Sequence, residues 1–188
     1  MRAVALLCCV LAVSAAPAEA AVESSSPSGF SIRHELVLEA SPEVAWKAIA
    51  RPGEWWPKDH TWSGDASKLS LELTAGGCFC ERWAATGGSA MHARVLIVRE
   101  RELLRMDAPL GPLQELGVSA VLSVSLAADG DQRTRAIVTF RVSGDPSHGL
   151  DKLAPVVDRV VGQQWGGWVR YAGELGKPNG DPPPPDVN

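Results

Sequence analysis

Between residues 30 and 39 the chain alternates, with Phe30, Ile32, His34, Leu36 and Leu38 on one face. That period of two marks a half-buried strand. Ser41-Pro42 then opens a helix. Serine caps free amides, proline suits the first turn, and Glu43 favours the positive helix end. Val44, Ala45, Ala48 and Ile49 form its apolar side, and Pro52-Gly53 ends it. Residues 54–64 (EWWPKDHTWSG) make an aromatic-rich connection with room for a second short helix. Alternation returns at 69–73, breaks at Gly76-Gly77 and resumes over 78–84. Gly87-Gly88 turns the chain into further strands at 92–98 and 103–107. Residues 108–117 (APLGPLQELG) read as a loop, either an ordinary connection or a cover at a pocket mouth. Val118, Ala120, Leu122, Val124 and Leu126 alternate with mostly serine; Asp129-Gly130 is a hairpin turn. Thr134, Ala136, Val138, Phe140 and Val142 return.

From 150 to 175 the period becomes helical, with Leu153, Val157, Val160, Gln164, Trp168, Tyr171 and Leu175 on one face. Pro155 sits near the start or at a kink, and Gly166-Gly167, between two tryptophans, implies close backbone packing or a bend. Hairpins imply an antiparallel sheet, and the long last helix is the only element large enough to cover its apolar face. The expected fold is α+β. A curved sheet of about seven strands grips a C-terminal helix, with one or two short helices after the first strand.

The ends differ from this middle. Residues 1–20 read as an export signal: Arg2 precedes an apolar stretch too short to span a bilayer, and Ala18-Glu19-Ala20 matches a small-x-small cleavage site. Cleavage after Ala20 is expected, with a periplasmic or secreted destination. It removes Cys8 and Cys9 and leaves Cys78 and Cys80. Residues 21–29 (AVESSSPSG) read as a flexible linker, 30–175 as one domain, and 176–188 as a proline-rich disordered tail.

The order of elements, with ELVLEASPEVAWKAIARPGEWWP at 35–57, HTWSG at 60–64, GGCFCE at 76–81, LGPLQ at 110–114 and LAPVVDRVVGQQ at 153–164, resembles the START-like or SRPBCC superfamily. The branch it most resembles contains the heat-shock-ATPase-activator homologues and polyketide cyclases/dehydrases. The resemblance covers about residues 30–175. It implies a helix-grip fold of seven strands with a deep apolar cavity between sheet and last helix. Members include lipid carriers, hormone receptors and cyclases. An exported protein would not meet a cytosolic chaperone, so that role is discarded; no motif matches a cyclase active site.

A net charge of −4 in 188 residues removes the basic footprint of nucleic-acid binding. No apolar run is long enough for an ordinary membrane helix. The chain has no G-x-S-x-G elbow, Walker A loop or G-x-G-x-x-G, so nothing calls for a nucleotide cofactor. Four scattered histidines and the single Cys78-x-Cys80 pair do not make a metal site. A disulfide within that pair is doubtful, because a regular strand holds the two residues too far apart unless Gly76-Gly77 bulges. Free thiols or pairing between molecules are the alternatives.

The strand at 78–84 carries the main candidate. Phe79, Glu81 and Trp83 share one face, and Cys78, Cys80 and Arg82 share the other. Arginine seldom faces an apolar core, so Glu81 is expected inside, between aromatics. Desolvation would then raise its pKa and suit it to general acid/base work or to anchoring a ligand. A purely structural, paired carboxylate is the plainer reading. His34 lies on an apolar face, as a partner for Glu81 or a satisfied core residue. His92 shares a face with Arg94, Leu96 and Val98, while Met91, Ala93, Val95 and Ile97 offer an equally good core face, so its orientation stays open. Asp59-His60 could pair a base with its carboxylate or merely be solvated.

Seven tryptophans stand beside three phenylalanines and one tyrosine. Phe79, Trp83, Trp165 and Trp168 are the expected walls of an aromatic pocket with Glu81 as polar anchor; simple core filling is the alternative. Three functions follow: an exported binder of a hydrophobic or aromatic small molecule; an enzyme of the cyclase, dehydratase or hydrolase kind using Glu81 with His34 or His92; or an interaction protein whose cavity is filled by its own side chains. Ligand identity and oligomeric state are not encoded in any motif.

Overall fold

The computed structural model describes residues 21–83 and 87–177. The proposed signal at 1–20 and the tail at 178–188 lie outside the described residues. The alternating segments pair into a single antiparallel sheet of eight strands: β1 Val22–Ser26, β2 Gly29–Leu38, β3 Leu69–Leu71, β4 Cys78–Trp83, β5 Gly88–Arg99, β6 Leu103–Asp107, β7 Ser119–Ala128 and β8 Thr134–Ser143. Their spatial order is β1-β2-β8-β7-β6-β5-β4-β3. Every sequential pair from β3 to β8 is a neighbour, and β8 closes against β2. Two helices complete the α+β fold: α1 Pro42–Ile49 after β2, and α2 Leu150–Leu175 at the end.

Local chemistry accounts for both helices. The Ser41 hydroxyl accepts from the Val44 amide at 3.4 Å, and Lys47 pairs with Glu43 at 2.7 Å. Helix α2 packs on α1 and on the β1–β2 edge of the sheet. Pro155 lies within its second turn and removes one intrahelical bond. Gly167 is required by packing: a Cβ there would collide with the Trp55 carbonyl oxygen, whereas one on Gly166 meets nothing closer than Arg170 at 3.6 Å. The alternating side chains of β7 and β8 form the core beneath these helices, with Leu122, Val124, Val138 and Phe140 buried.

One boundary is corrected. Residues 21–29 are not a linker, because Val22–Ser26 pair with β2 as an edge strand. Serine-rich sequence has low strand propensity, but an edge strand is held by main-chain hydrogen bonds that need no apolar side chains. This strand is the eighth, beyond the seven expected.

The orientation of β5 combines both sequence alternatives. An extra residue at His92 shifts the β4–β5 register, and another at Leu96 shifts the β5–β6 register. Each bulge reverses the alternation. His92 is therefore buried, and the next residue, Ala93, is buried too.

Candidate ligand-binding site

Glu81 pairs with Ala90 on the neighbouring strand, and the first bulge turns His92, two residues further along, towards the Glu81 carboxylate. His92 Nε2 is 2.9 Å from Glu81 Oε2. The loop before β3 supplies two further donors: the Trp62 amide to Oε2 at 2.9 Å and the Ser63 amide to Oε1 at 2.6 Å. That loop is fixed by its own sequence. Trp56 Nε1 donates to the His60 carbonyl at 3.1 Å, the Thr61 hydroxyl to the Lys58 carbonyl at 2.7 Å, and Asp65 accepts from Ser67. Two successive amides are thereby aimed at one carboxylate.

Glu81 is 0 % exposed. The inward face expected for Phe79 and Glu81 is the one observed, with Arg82 exposed. The expected rise in pKa is overturned. Burial pushes the Glu81 carboxyl up, but hydrogen bonds from Ser63, Trp62 and His92 outweigh it and hold the group below the usual carboxylate range. Glu81 is thus a fixed anion, not an acid waiting to donate. The nitrogen that meets an anion must carry the proton, so Glu81 sets the tautomer of His92 and leaves Nδ1 as the ring's remaining polar atom.

His92 opens on a cavity of about 700 Å³. Its walls come from the loop after α1 (Trp56, Asp59, His60, Thr61, Trp62), from residues 110–116, from Phe140 and His148, and from one face of α2: Leu153, Val156, Val157, Val160, Val161 and Gln164. The lining is mainly apolar, and the volume lies in the range of small-molecule sites. Residues 110–116 are therefore part of the wall. They are tied to β5 where Gln114 Nε2 donates to the Met91 carbonyl at 2.7 Å. Gln164 interrupts the apolar stripe of α2, is buried, and its Oε1 has no hydrogen-bond partner among the described residues.

The aromatic side chains form a relay behind this cavity. Ring centroids run Trp168–Trp165 at 5.5 Å, Trp165–Trp55 at 5.4 Å, Trp55–Trp56 at 5.4 Å, Trp56–Phe79 at 5.0 Å and Phe79–His92 at 5.1 Å. Trp168 Nε1 donates to the Ala45 carbonyl at 3.0 Å and Trp55 Nε1 to the Ala48 carbonyl at 2.8 Å. Phe79, Trp165 and Trp168 thus support the wall from the core, while Trp56 is the tryptophan of this relay that lines the cavity. Trp83 is half-buried and lies over Gly88, where a Cβ would collide with its indole.

His34 does not join Glu81. Its Nε2 lies 3.0 Å from Asp158 Oδ1 at the β2–α2 contact. Asp59 and His60 reach the cavity wall, with the His60 Nδ1 atom buried and unpartnered. Sequence reasoning missed Trp56, the Trp62 and Ser63 amides and Gln164. Only Gln164, a polar residue within an apolar stripe, carried a readable signal.

Cys78 and Cys80 are joined by a disulfide, with Cα atoms 5.3 Å apart. A regular strand would hold them roughly 6–7 Å apart. The contraction of β4 occurs opposite the His92 bulge, not at Gly76-Gly77. A larger recess of about 870 Å³ lies elsewhere on the sheet, lined mainly by serines with Arg105 and Arg141. No carboxylate or histidine reaches it. No cluster of three or more potential metal ligands occurs among the described residues, and no described helix is long and apolar enough to cross a membrane.

Comparison with solved structures places this architecture. A truncated norcoclaurine synthase from Thalictrum flavum matches with a TM-score of 0.53 at 14% identity, covering 79% of this chain and 96% of that one. A protein from Thermobifida fusca matches with a TM-score of 0.54 at 15% identity, covering 77% and 94%. A conserved protein of unknown function from Enterococcus faecalis matches with a TM-score of 0.52 at 10% identity, covering 86% and 78%. No family model and no curated protein sequence matches. The chain shares the fold of these proteins, an antiparallel sheet packed against a long C-terminal helix in a helix-grip arrangement. A point mutant of the Thalictrum synthase in complex with a transition-state analogue matches as well, with a TM-score of 0.51 at 15% identity.

Proposed function

We propose that this chain is an exported binding protein for a hydrophobic or aromatic small molecule held between the sheet and α2. The observation that carries the reading is the apolar cavity of about 700 Å³ with a carboxylate-oriented His92 in its wall. A cavity filled by the protein's own side chains would not leave that volume. Gln164 refines the ligand. Its unpartnered oxygen favours a molecule with an apolar body and one hydroxyl or amine donor. Export is part of the proposal and rests on the leader-like first twenty residues, with the disulfide as support, since such bonds persist in oxidising compartments.

Calorimetry with the matched probes 2-naphthol and 2-methylnaphthalene tests it. Both should bind, and 2-naphthol should bind several-fold tighter, on the order of 1 kcal/mol for the added hydrogen bond. Gln164→Leu should abolish the difference. If neither probe binds, the binding reading falls; if both bind equally, only the polar anchor does.

A second reading is an enzyme of the cyclase, dehydratase or hydrolase kind. The Glu81–His92 pair supports it, with roles revised from the sequence expectation: His92 moves the proton and Glu81 orients it. Turnover would be lost in His92→Phe and reduced in Glu81→Gln.

A further inference from the structure

The second buried carboxylate among the described residues after Glu81, Asp158 on α2, takes no part in the cavity. It faces the corner where β1 starts and β2 passes. Its Oδ2 lies 3.3 Å from the backbone nitrogen of Ala21, and its Oδ1 lies 3.0 Å from His34 Nε2. The His34 contact is close but lacks hydrogen-bond alignment, and no lysine or arginine pairs with Asp158 among the described residues. The imidazole is held there by Gly162, one helical turn beyond Asp158, where a Cβ would sit 3.3 Å from His34 Cε1. Asp158 is therefore a buried carboxylate with one long amide contact and one misaligned partner. Such a group is costly unless a further donor or charge arrives.

The sequence supplies that charge. Ala18-Glu19-Ala20 places cleavage directly before the nitrogen that faces Asp158. Two independent observations, a cleavage pattern and a buried carboxylate, converge on one atom. We infer that removal of the first twenty residues turns the Ala21 amide into an ammonium that occupies a prepared site between Asp158 and β1. Hydrolysis of the Ala20–Ala21 peptide bond consumes one water and leaves a carboxylate on the departing leader and the ammonium on Ala21. Before cleavage the nitrogen offers one neutral N–H; afterwards it offers a positive charge and three donors. The site is rigid, because the Ala21 carbonyl accepts from the Arg33 amide at 2.8 Å and Val22 pairs with Ile32. Processing thereby locks β1 to α2, and the uncut precursor stays easier to unfold for export. The inference rests on the export reading and is independent of what the cavity binds.

The test compares the exported, processed protein with the same chain begun by a methionine placed before Glu19. The intact mass of the exported form should correspond to a start at Ala21, and it should melt about 3 °C or more above the extended form. Asp158→Asn should lower the melting temperature of the processed form and leave the extended form nearly unchanged. In the processed form the α-amine should react with an acylating reagent about tenfold more slowly than in its Asp158→Asn variant, as a paired ammonium is less often deprotonated. A mature start elsewhere, equal melting of the two chains, or equal amine reactivity overturns the inference. Ligand binding is not read in any of these measurements, so their failure leaves the cavity proposal standing.

Discussion

Glu81 accepts from two backbone amides and one imidazole in a fully buried position. Glu81→Gln keeps one acceptor oxygen but turns the other into an NH₂ that faces a donor. Urea unfolding at pH 7 should show a loss of about 1–3 kcal/mol. The pH dependence has a definite sign. The folded carboxyl titrates below its ordinary value of 4.5, so its stabilisation is present above that value and is lost as pH falls through the lower folded one. The gap between wild type and Glu81→Gln should therefore narrow in acid; a gap that stays constant from pH 7 to strong acid would refute the assignment. At this scale the inward face of β4 was legible, because Arg82 and Glu81 cannot share a face. The direction of the pKa shift was not, since the decisive donors lie in a loop remote in sequence.

Helix α2 was legible as an element, and its glycine pair separates two roles. Gly166→Ala makes only an ordinary contact with the Arg170 guanidinium at 3.6 Å and should stabilise the helix by about 1 kcal/mol. Gly167→Ala must push α2 off the Trp55 carbonyl and should cost about 1–3 kcal/mol despite the same gain in propensity. Thermal melts of the two variants should move in opposite directions; parallel shifts would contradict the packing. The disulfide belongs to the same scale. Alkylation under denaturing, non-reducing conditions should leave Cys78 and Cys80 unmodified, whereas modification of both would show the bond absent. Because it closes so short a loop, the double serine variant should lose under about 2 kcal/mol. Strand existence followed from alternation, but the two bulges of β5 did not. With an apolar residue available on either face, the local pattern does not choose the register, and the neighbouring strands do.

Across the whole molecule, the sheet and α2 leave a cavity whose walls come from six separate stretches of chain. Val157→Trp should fill it. Binding of 2-naphthol should fall by at least about tenfold, a loss of 1.4 kcal/mol or more, while the melting temperature stays near or above that of wild type. Retained binding with a bulky residue at position 157 would place the ligand elsewhere.

The sequence by itself determined the element order, the α+β class, the long C-terminal helix and the inward face of Glu81. Each follows from side-chain periodicity, which is a local property of the chain. The tertiary structure alone decided that Val22–Ser26 pair as a strand, that His92 rather than His34 meets Glu81, and that Trp56 rather than Trp165 or Trp168 reaches the cavity. These depend on backbone pairing, bulges and the approach of α2 to the loop after α1. They bring together groups from distant parts of the chain, and no local period records such contacts.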